Sequence, residues 1–452
     1  MRRSIAILLL SLAVAGTAVA GFSFAAAYGP DAGHDMTTLS VHIYEWGFTL
    51  SSESAPVGTV VFNVVNDGDF EHDFSIDSND TPLLKQGETA TVTVNFTEPG
   101  RYEYSSTHDD IDRDIYGVFT VTGTAVSTTT TARTATSTTT TPPPPSTLPL
   151  RRVADVPLTG GSSRFDYQSL DAGRNRLYIA HLGAGSIVVF DVRRRRVVTT
   201  IGDVPGVHGV LAVPALGRLY AAATDARKLV TIRERDDAIV ARTPAGVYPD
   251  GIAFDSGRRE VFVSDESGGV ETVVAAAGGR KLATISLGGE AGNVQYDSVS
   301  GHVFADVQTR DELVAIDPRR RRIVARYSLP GCEHDHGLFV DAGRRLAFVA
   351  CDGNATLLVF DLRSTRVTST FTVGAEPDVL AFDPALRRLY VAAESGVVAV
   401  FAEHGRTLRK LGQGLLAPTA HSIAVDPRTH LVYFPLEDVG GKPVLRIMRT
   451  RP

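Results

Sequence analysis

From residue 165 onward, short apolar runs alternate with turns rich in Asp, Gly and Arg, always in one order. Each unit has an apolar strand ending in Asp, a turn, and then an apolar strand anchored by an aromatic residue. The anchors are Tyr178, Tyr220, Phe262, Phe304, Phe348, Tyr390 and Tyr433, spaced 42, 42, 42, 44, 42 and 43 residues apart. A constant step just over 40 residues holds four short strands, the size of one propeller blade. The stretch "DGIAFDSGRREVFVSDESGGVETVVAAAGGRKLATISL" (250–287) shows all four, with β-branched residues alternating between Gly/Asp/Ser turns. The last unit stops after "KPVLRIMR" with three strands, and "RRVADVPL" (151–158) is free to supply the fourth. One strand from each terminus would then close the ring and leave no open sheet edge. Residues 149–452 are therefore predicted to form seven blades.

Upstream, residues 55–77 and 87–121 alternate apolar and polar positions around Gly turns, which predicts a small all-β sandwich within 36–122. Helical periodicity is nearly absent beyond the first 27 residues. Those begin with Arg2 and Arg3, continue as an apolar run and offer Ala18-Val19-Ala20 as a cleavage site, a signal-peptide pattern. The apolar run reaches Ala27, so an uncleaved anchor is the alternative, and the only expected membrane contact. Residues 123–148, a Thr/Ser/Pro tract, cannot bury a core and read as an extended linker.

Charge divides along the same boundary. Residues 36–122 carry 15 Asp/Glu against 3 Lys/Arg, whereas 149–452 carry 34 against 39. The overall net charge of −6 thus conceals an acidic module tethered to a mildly basic one. The runs "DVRRRRVV" (191–198) and "DPRRRRIV" (317–324) occupy the same place in the repeat, a turn between outer strands. That reads as solvated hairpin tips, and no nucleic-acid partner is expected. No phosphate-cradling glycine loop stands between a strand and a helix, and the serines and histidines are too scattered in sequence to support a nucleophile triad.

Five residues before each first-strand Asp, or before Val213 in the second unit, stand Asp166, His208, Asp250, Gly292, His336, Asp378 and His421. Asn293 adds a polar group one residue on. This register begins each inner strand, where seven loops converge on a central channel. His208, His336 and His421 fall in blades 2, 5 and 7, as evenly spaced as three places on seven allow. Three imidazoles converging on an axis build a zinc site whose fourth position stays open. Such a site, holding zinc or another transition metal, would serve a hydrolase or lyase, with Asp166, Asp250 and Asp378 as orienting acceptors or bases. The other readings are a small-ligand, metal or protein site at the channel mouth, formed by Asp166, Asp250, Asn293, His334, Asp335 and Asp378, or simple capping of strand ends. The chain's two cysteines, Cys332 and Cys351, flank a hairpin turn at Ala342-Gly343, and a disulfide across it is expected in an exported protein.

The repeats "FDYQSLDAGRNRLYIAH", "PGVHGVLAVPALGRLY", "YPDGIAFD" and "HSIAVDPRTHLVYFPLED" resemble the YVTN-type, YncE-like exported β-propeller proteins across 149–452. The resemblance implies the fold and no particular reaction. Residues 36–122 resemble the cupredoxins. His72, before Asp73-Phe74, occupies the place of the family's first copper-binding histidine. The family's Cys and Met are replaced by Ser105 or Ser106 and by Ile115. Type 1 copper needs a thiolate beside two imidazoles, so it is not expected here. His72, His108 and Asp110 remain as candidates to capture a harder cation or a nitrogen-preferring copper. The overall expectation is an all-β chain, a seven-bladed β-propeller preceded by a small cupredoxin-like β-sandwich. It would be exported to the periplasm, cell surface or medium, with an unidentified small ligand or exported protein as partner.

Overall fold

In the computed structural model, residues 37–122 are described except 45–46, 51, 53, 67–70, 78 and 107–114, and residues 148–451 are described throughout. The signal-like segment 1–27, the linker up to 147, and His108 and Asp110 lie outside the described residues. The chain divides into two compact units, Met1–Ala135 and Thr136–Pro452.

The first unit has two sheets. One is four-stranded, in the order Gly47–Leu50, Thr37–Tyr44, Gly58–Asn66, Thr89–Phe96. The other is five-stranded, in the order Ser54–Pro56, Ile115–Thr122, Gly100–Ser106, Ser75–Ile76, Asn79–Asp80. Alternating residues of both turn inward, so Val60, Phe62 and Val64 meet Phe74, Tyr104 and Phe119 in one core. The Phe62 and Phe119 rings pack edge to face at 5.2 Å.

The second unit is built from seven four-stranded antiparallel sheets. Six are consecutive meanders, whose first strands are Gln168–Asp171, Val207–Val213, Pro249–Asp255, Ala291–Asp297, Asp335–Asp341 and Pro377–Asp383. The seventh runs Leu150–Pro157, Val444–Thr450, Leu431–Leu436, Ala424–Asp426, so the chain's two ends share a sheet. Arg151 pairs with Arg449 and Val156 with Leu445 in that junction. Each first strand lies against the first strands of the sheets before and after it, and Ala424–Asp426 lies against Gln168–Asp171, completing a ring.

The repeating aromatic anchors are the core of this ring. Tyr178, Tyr220, Phe262, Phe348, Tyr390 and Tyr433 are fully buried, each side chain contributing about 1.5–3 kcal/mol by leaving water. The repeating Asp has a different task. Asp171, Asp255, Asp297, Asp341, Asp383 and Asp426 end their strands, and each carboxylate accepts backbone N–H groups two or three residues on. These Asx-type caps fix the tight turns and leave the ring-register carboxylates as a separate set. The Arg runs sit at hairpin turns, with Arg194 folded back on Asp191 at 2.8 Å.

Candidate functional site

The register carrying Asp166, His208, Asp250, Asn293, His336, Asp378 and His421 is locally irregular. The first-to-second strand pairing slips between Val207 and Val210, Pro249 and Ile252, Ala291 and Val294, Asp335 and Gly337, and Pro377 and Leu380. A bulge re-aims the side chains beside it, and in five sheets it falls at the ring residue. Glycine makes the close approach possible: a Cβ at Gly209 would meet the Asp250 carbonyl oxygen at 2.1 Å, and one at Gly337 the Asp378 oxygen at 2.1 Å.

All three histidines are fixed through Nδ1. Thr224 Oγ1 donates to the Pro249 carbonyl at 2.6 Å and so accepts from His208 Nδ1 at 2.8 Å, where Gly206 O also lies at 2.9 Å. The proton therefore sits on Nδ1, and Nε2 faces the Tyr248 hydroxyl at 3.0 Å and Asp166 Oδ2 at 3.9 Å. Gln308 Nε2 donates to Glu266 and to the Ala291 carbonyl at 2.8 and 3.0 Å. Its Oε1 is thereby left to accept from His336 Nδ1 at 3.1 Å, while His336 Nε2 meets Asp378 Oδ1 at 3.2 Å. His421 Nδ1 lies 3.0 Å from Thr419 O and 3.1 Å from Glu394 Oε2. Its Nε2 is buried and has no hydrogen-bond partner.

Among the described residues, two groups of donor atoms lie within 4.8 Å of one another around this ring: Asp166, His208 and Asp250, and Asp166, Asp378 and His421. Every member is buried, and Asp250 Oδ1 also has no hydrogen-bond partner. Neither group holds two histidines. The three-histidine set expected from even spacing is not assembled, because Asp side chains from neighbouring sheets stand between the imidazoles. Tyr167 also reaches across from the first sheet to Asn293 of the fourth, with Asn293 Nδ2 donating to its hydroxyl at 2.8 Å. His336 has both ring nitrogens engaged. A third group, Asp311, Cys332 and Asp335, offers no thiolate, since Cys332 is disulfide-bonded.

The electrostatics reflect crowded buried carboxylates. Burial lifts Asp166 to about 7, with Asp378 adding to the rise and Arg164 and His421 opposing it. Asp250 is raised well above the carboxylate range, first by burial and then by Glu266 and Asp166. Burial, the largest single influence, acts to strip the proton from His421, but the charge and hydrogen bond of Glu394 together with the charge of Asp378 raise the imidazole to about 9. Arg164 in turn pairs with Glu394 at 2.5 Å. Asp166, Asp250, Asp378, Glu266 and Glu394 thus outnumber the nearby cationic groups Arg164, His336 and His421. A surplus of buried acid favours either protons or a bound cation.

Two residues expected at the mouth are engaged elsewhere. His334 binds Asp352 at 2.7 Å and is part-exposed. Asp335 Oδ2 accepts from Val307 N at 3.2 Å, and its carboxyl, lifted to about 7 by burial, abuts Asp306. The disulfide Cys332–Cys351, with Cα atoms 5.4 Å apart, closes the hairpin that carries both.

The partners Thr224, Glu266, Gln308, Asp352 and Glu394 were not singled out by sequence reasoning. All stand four residues after the aromatic anchors, as do Leu182 and Glu437. That fixed offset past the second strand was the available signal. Tyr167 and Tyr248 carried no such periodic mark.

In the first unit, His72 is fully buried and bridges by backbone to Leu84. Ser106 is buried; its hydroxyl donates to Asp73 Oδ1 at 3.0 Å and accepts from Asp73 N at 3.2 Å.

No protein-family model matches the chain, and no curated protein matches it. Among solved structures, it is similar to the Kuenenia stuttgartiensis hydrazine synthase, with a TM-score of 0.55 and 12% identity over 65% of this chain and 96% of that one. It is also similar to a chain of the mitotic checkpoint complex, with a TM-score of 0.58 and 9% identity over 72% of this chain and 100% of that one. The fold is β-propeller-like. At such identities the likeness speaks for architecture alone.

Proposed function

We propose that the chain is an exported binding protein, a seven-bladed YVTN-type propeller preceded by a cupredoxin-like module, whose ring takes a positively charged ligand. A divalent metal ion fits the donors best. The observation that carries this reading is the group of Asp166, His208 and Asp250, three buried side chains with donor atoms within 4.8 Å. His208 is held through Nδ1 by Gly206 and Thr224, the outer-shell arrangement that orients a metal-ligating imidazole. Export is supported by the disulfide and by the signal-like first 27 residues.

The second reading is a metal-dependent hydrolase or lyase at the same place. Tyr248, whose hydroxyl is 3.0 Å from His208 Nε2, favours it, because a phenol beside a metal ligand can exchange protons with a bound substrate. Metal capture by the first unit rests on His72, His108 and Asp110. Ser106, one of the two serines at the place of the family's cysteine, is tied by hydrogen bonds to Asp73, which supports a structural role for that module.

The test is thermal unfolding of metal-stripped mature protein with zinc, manganese, calcium or an organic diamine, alongside Asp250→Asn. A ligand at 100 times its Kd stabilises by about 2.7 kcal/mol. A rise in Tm with a divalent ion, reduced in Asp250→Asn, supports metal binding. A rise with the diamine alone supports an organic cation instead, and no rise with any cation overturns the reading.

A further inference from the structure

Around the ring, five consecutive sheets present Asp378, His421, Asp166, His208 and Asp250, a strict alternation of carboxylate and imidazole. Asp166 stands at its centre and belongs to both donor groups. Each side repeats the same composition, one histidine and one further aspartate. On each side the histidine is anchored through Nδ1 to the carbonyl two residues earlier, Gly206 O for His208 and Thr419 O for His421. Each side also contains a buried donor atom without a hydrogen-bond partner, Asp250 Oδ1 on one and His421 Nε2 on the other. A single ion against His208 and Asp250 would leave His421 Nε2 buried and unsatisfied, which costs free energy.

We propose that Asp166 is a bridging carboxylate between two divalent transition-metal ions, one bound by His208 and Asp250 and the other by His421 and Asp378. This rests on the cation-binding reading above and adds the second ion. A carboxylate has two oxygens, enough for one on each metal, and two-metal sites place their ions about 3.5–4 Å apart. Imidazole with carboxylate suits zinc, manganese or iron better than calcium. Two ions also supply partners for the atoms that otherwise have none. On the first side Gly206 and Thr224 orient His208 through Nδ1, and the Tyr248 hydroxyl, now on Nε2, turns away when the metal binds. On the second side Glu394 orients His421 through Nδ1.

The test is manganese titration of the metal-stripped, full-length mature protein, with stoichiometry from equilibrium dialysis and coupling from electron paramagnetic resonance. The expected result is two manganese ions per chain with an exchange-coupled spectrum. His208→Gln and His421→Gln should each retain one ion with an uncoupled six-line spectrum, at a circular-dichroism spectrum matching wild type. Asp166→Asn, nearly isosteric, should lose the coupling. One ion in wild type, or two uncoupled ions of which one is lost in His72→Ala, overturns the bridge while leaving a cation-binding ring. No manganese or zinc bound at all overturns both.

Discussion

Tyr167 spans the ring to Asn293, its hydroxyl accepting from the Asn293 amide at 2.8 Å across 126 residues of sequence. The contact joins the segment leading into the first sheet to the fourth sheet, with His208 and Asp250 on the two intervening sheets and His336, Asp378 and His421 on the other three. Tyr167→Phe removes the acceptor and strands a buried amide donor, so stability should fall by about 1–2 kcal/mol. Cation uptake should persist, because Tyr167 belongs to neither donor group. Chemical denaturation together with metal dialysis on the variant checks both statements.

The Cys332–Cys351 bond closes a loop with a sequence separation of 19. In the chain-entropy relation such a loop contributes about 3 kcal/mol. Cys332→Ala/Cys351→Ala, or reduction of the wild type, should lower the unfolding free energy of the second unit by that order. A denaturation series with and without reductant reads it directly.

The seventh sheet joins the two ends of the second unit, and Arg446 holds Asp155 with two hydrogen bonds at 2.9 and 2.8 Å across the junction. Asp155→Ala should cost about 1–2 kcal/mol, more than an exposed pair, because both side chains are largely covered. Deleting residues 149–158 removes the closing strand and exposes the edge of Val444–Thr450. The truncated protein should self-associate on size-exclusion chromatography, whereas the full chain should not.

Glu271 is a buried acid outside both donor groups. Burial lifts its carboxyl to about 8 against the hydrogen bond that Ser264 donates at 2.8 Å. The folded state therefore keeps this proton after the unfolded chain, titrating near 4.5, has lost it. Its contribution is full below about pH 4.5 and declines as pH rises towards about 8. Glu271→Gln should flatten that decline and be more stable than wild type at pH 8 by an amount on the order of 3 kcal/mol. Unfolding free energies of both proteins at pH 5 and pH 8 decide the point.

The seven sheets and their closure were legible because a propeller unit must repeat its aromatic anchor and its turn-capping Asp at nearly constant spacing. The ring register was legible for the same reason, since His208 and Asp250 occupy equivalent places. Side-chain direction was not. Even spacing suggested that His208, His336 and His421 meet, but bulges and the intervening carboxylates pair each with its own partner, and His336 spends both nitrogens on Gln308 and Asp378. His334 and Asp335, adjacent in sequence to His336, turn away because one sits in a positive-φ turn at 59° and the other faces Val307 and Asp306. Tyr167 reaches its partner across the ring, a relationship that no local pattern encodes.

The most direct test is the metal content of the protein purified without chelators, measured by plasma mass spectrometry for wild type and Asp166→Asn. At least one equivalent of a transition metal per chain in wild type, and markedly less in Asp166→Asn, is the predicted result. A wild-type protein that carries no metal and takes up none from added zinc or manganese would contradict it.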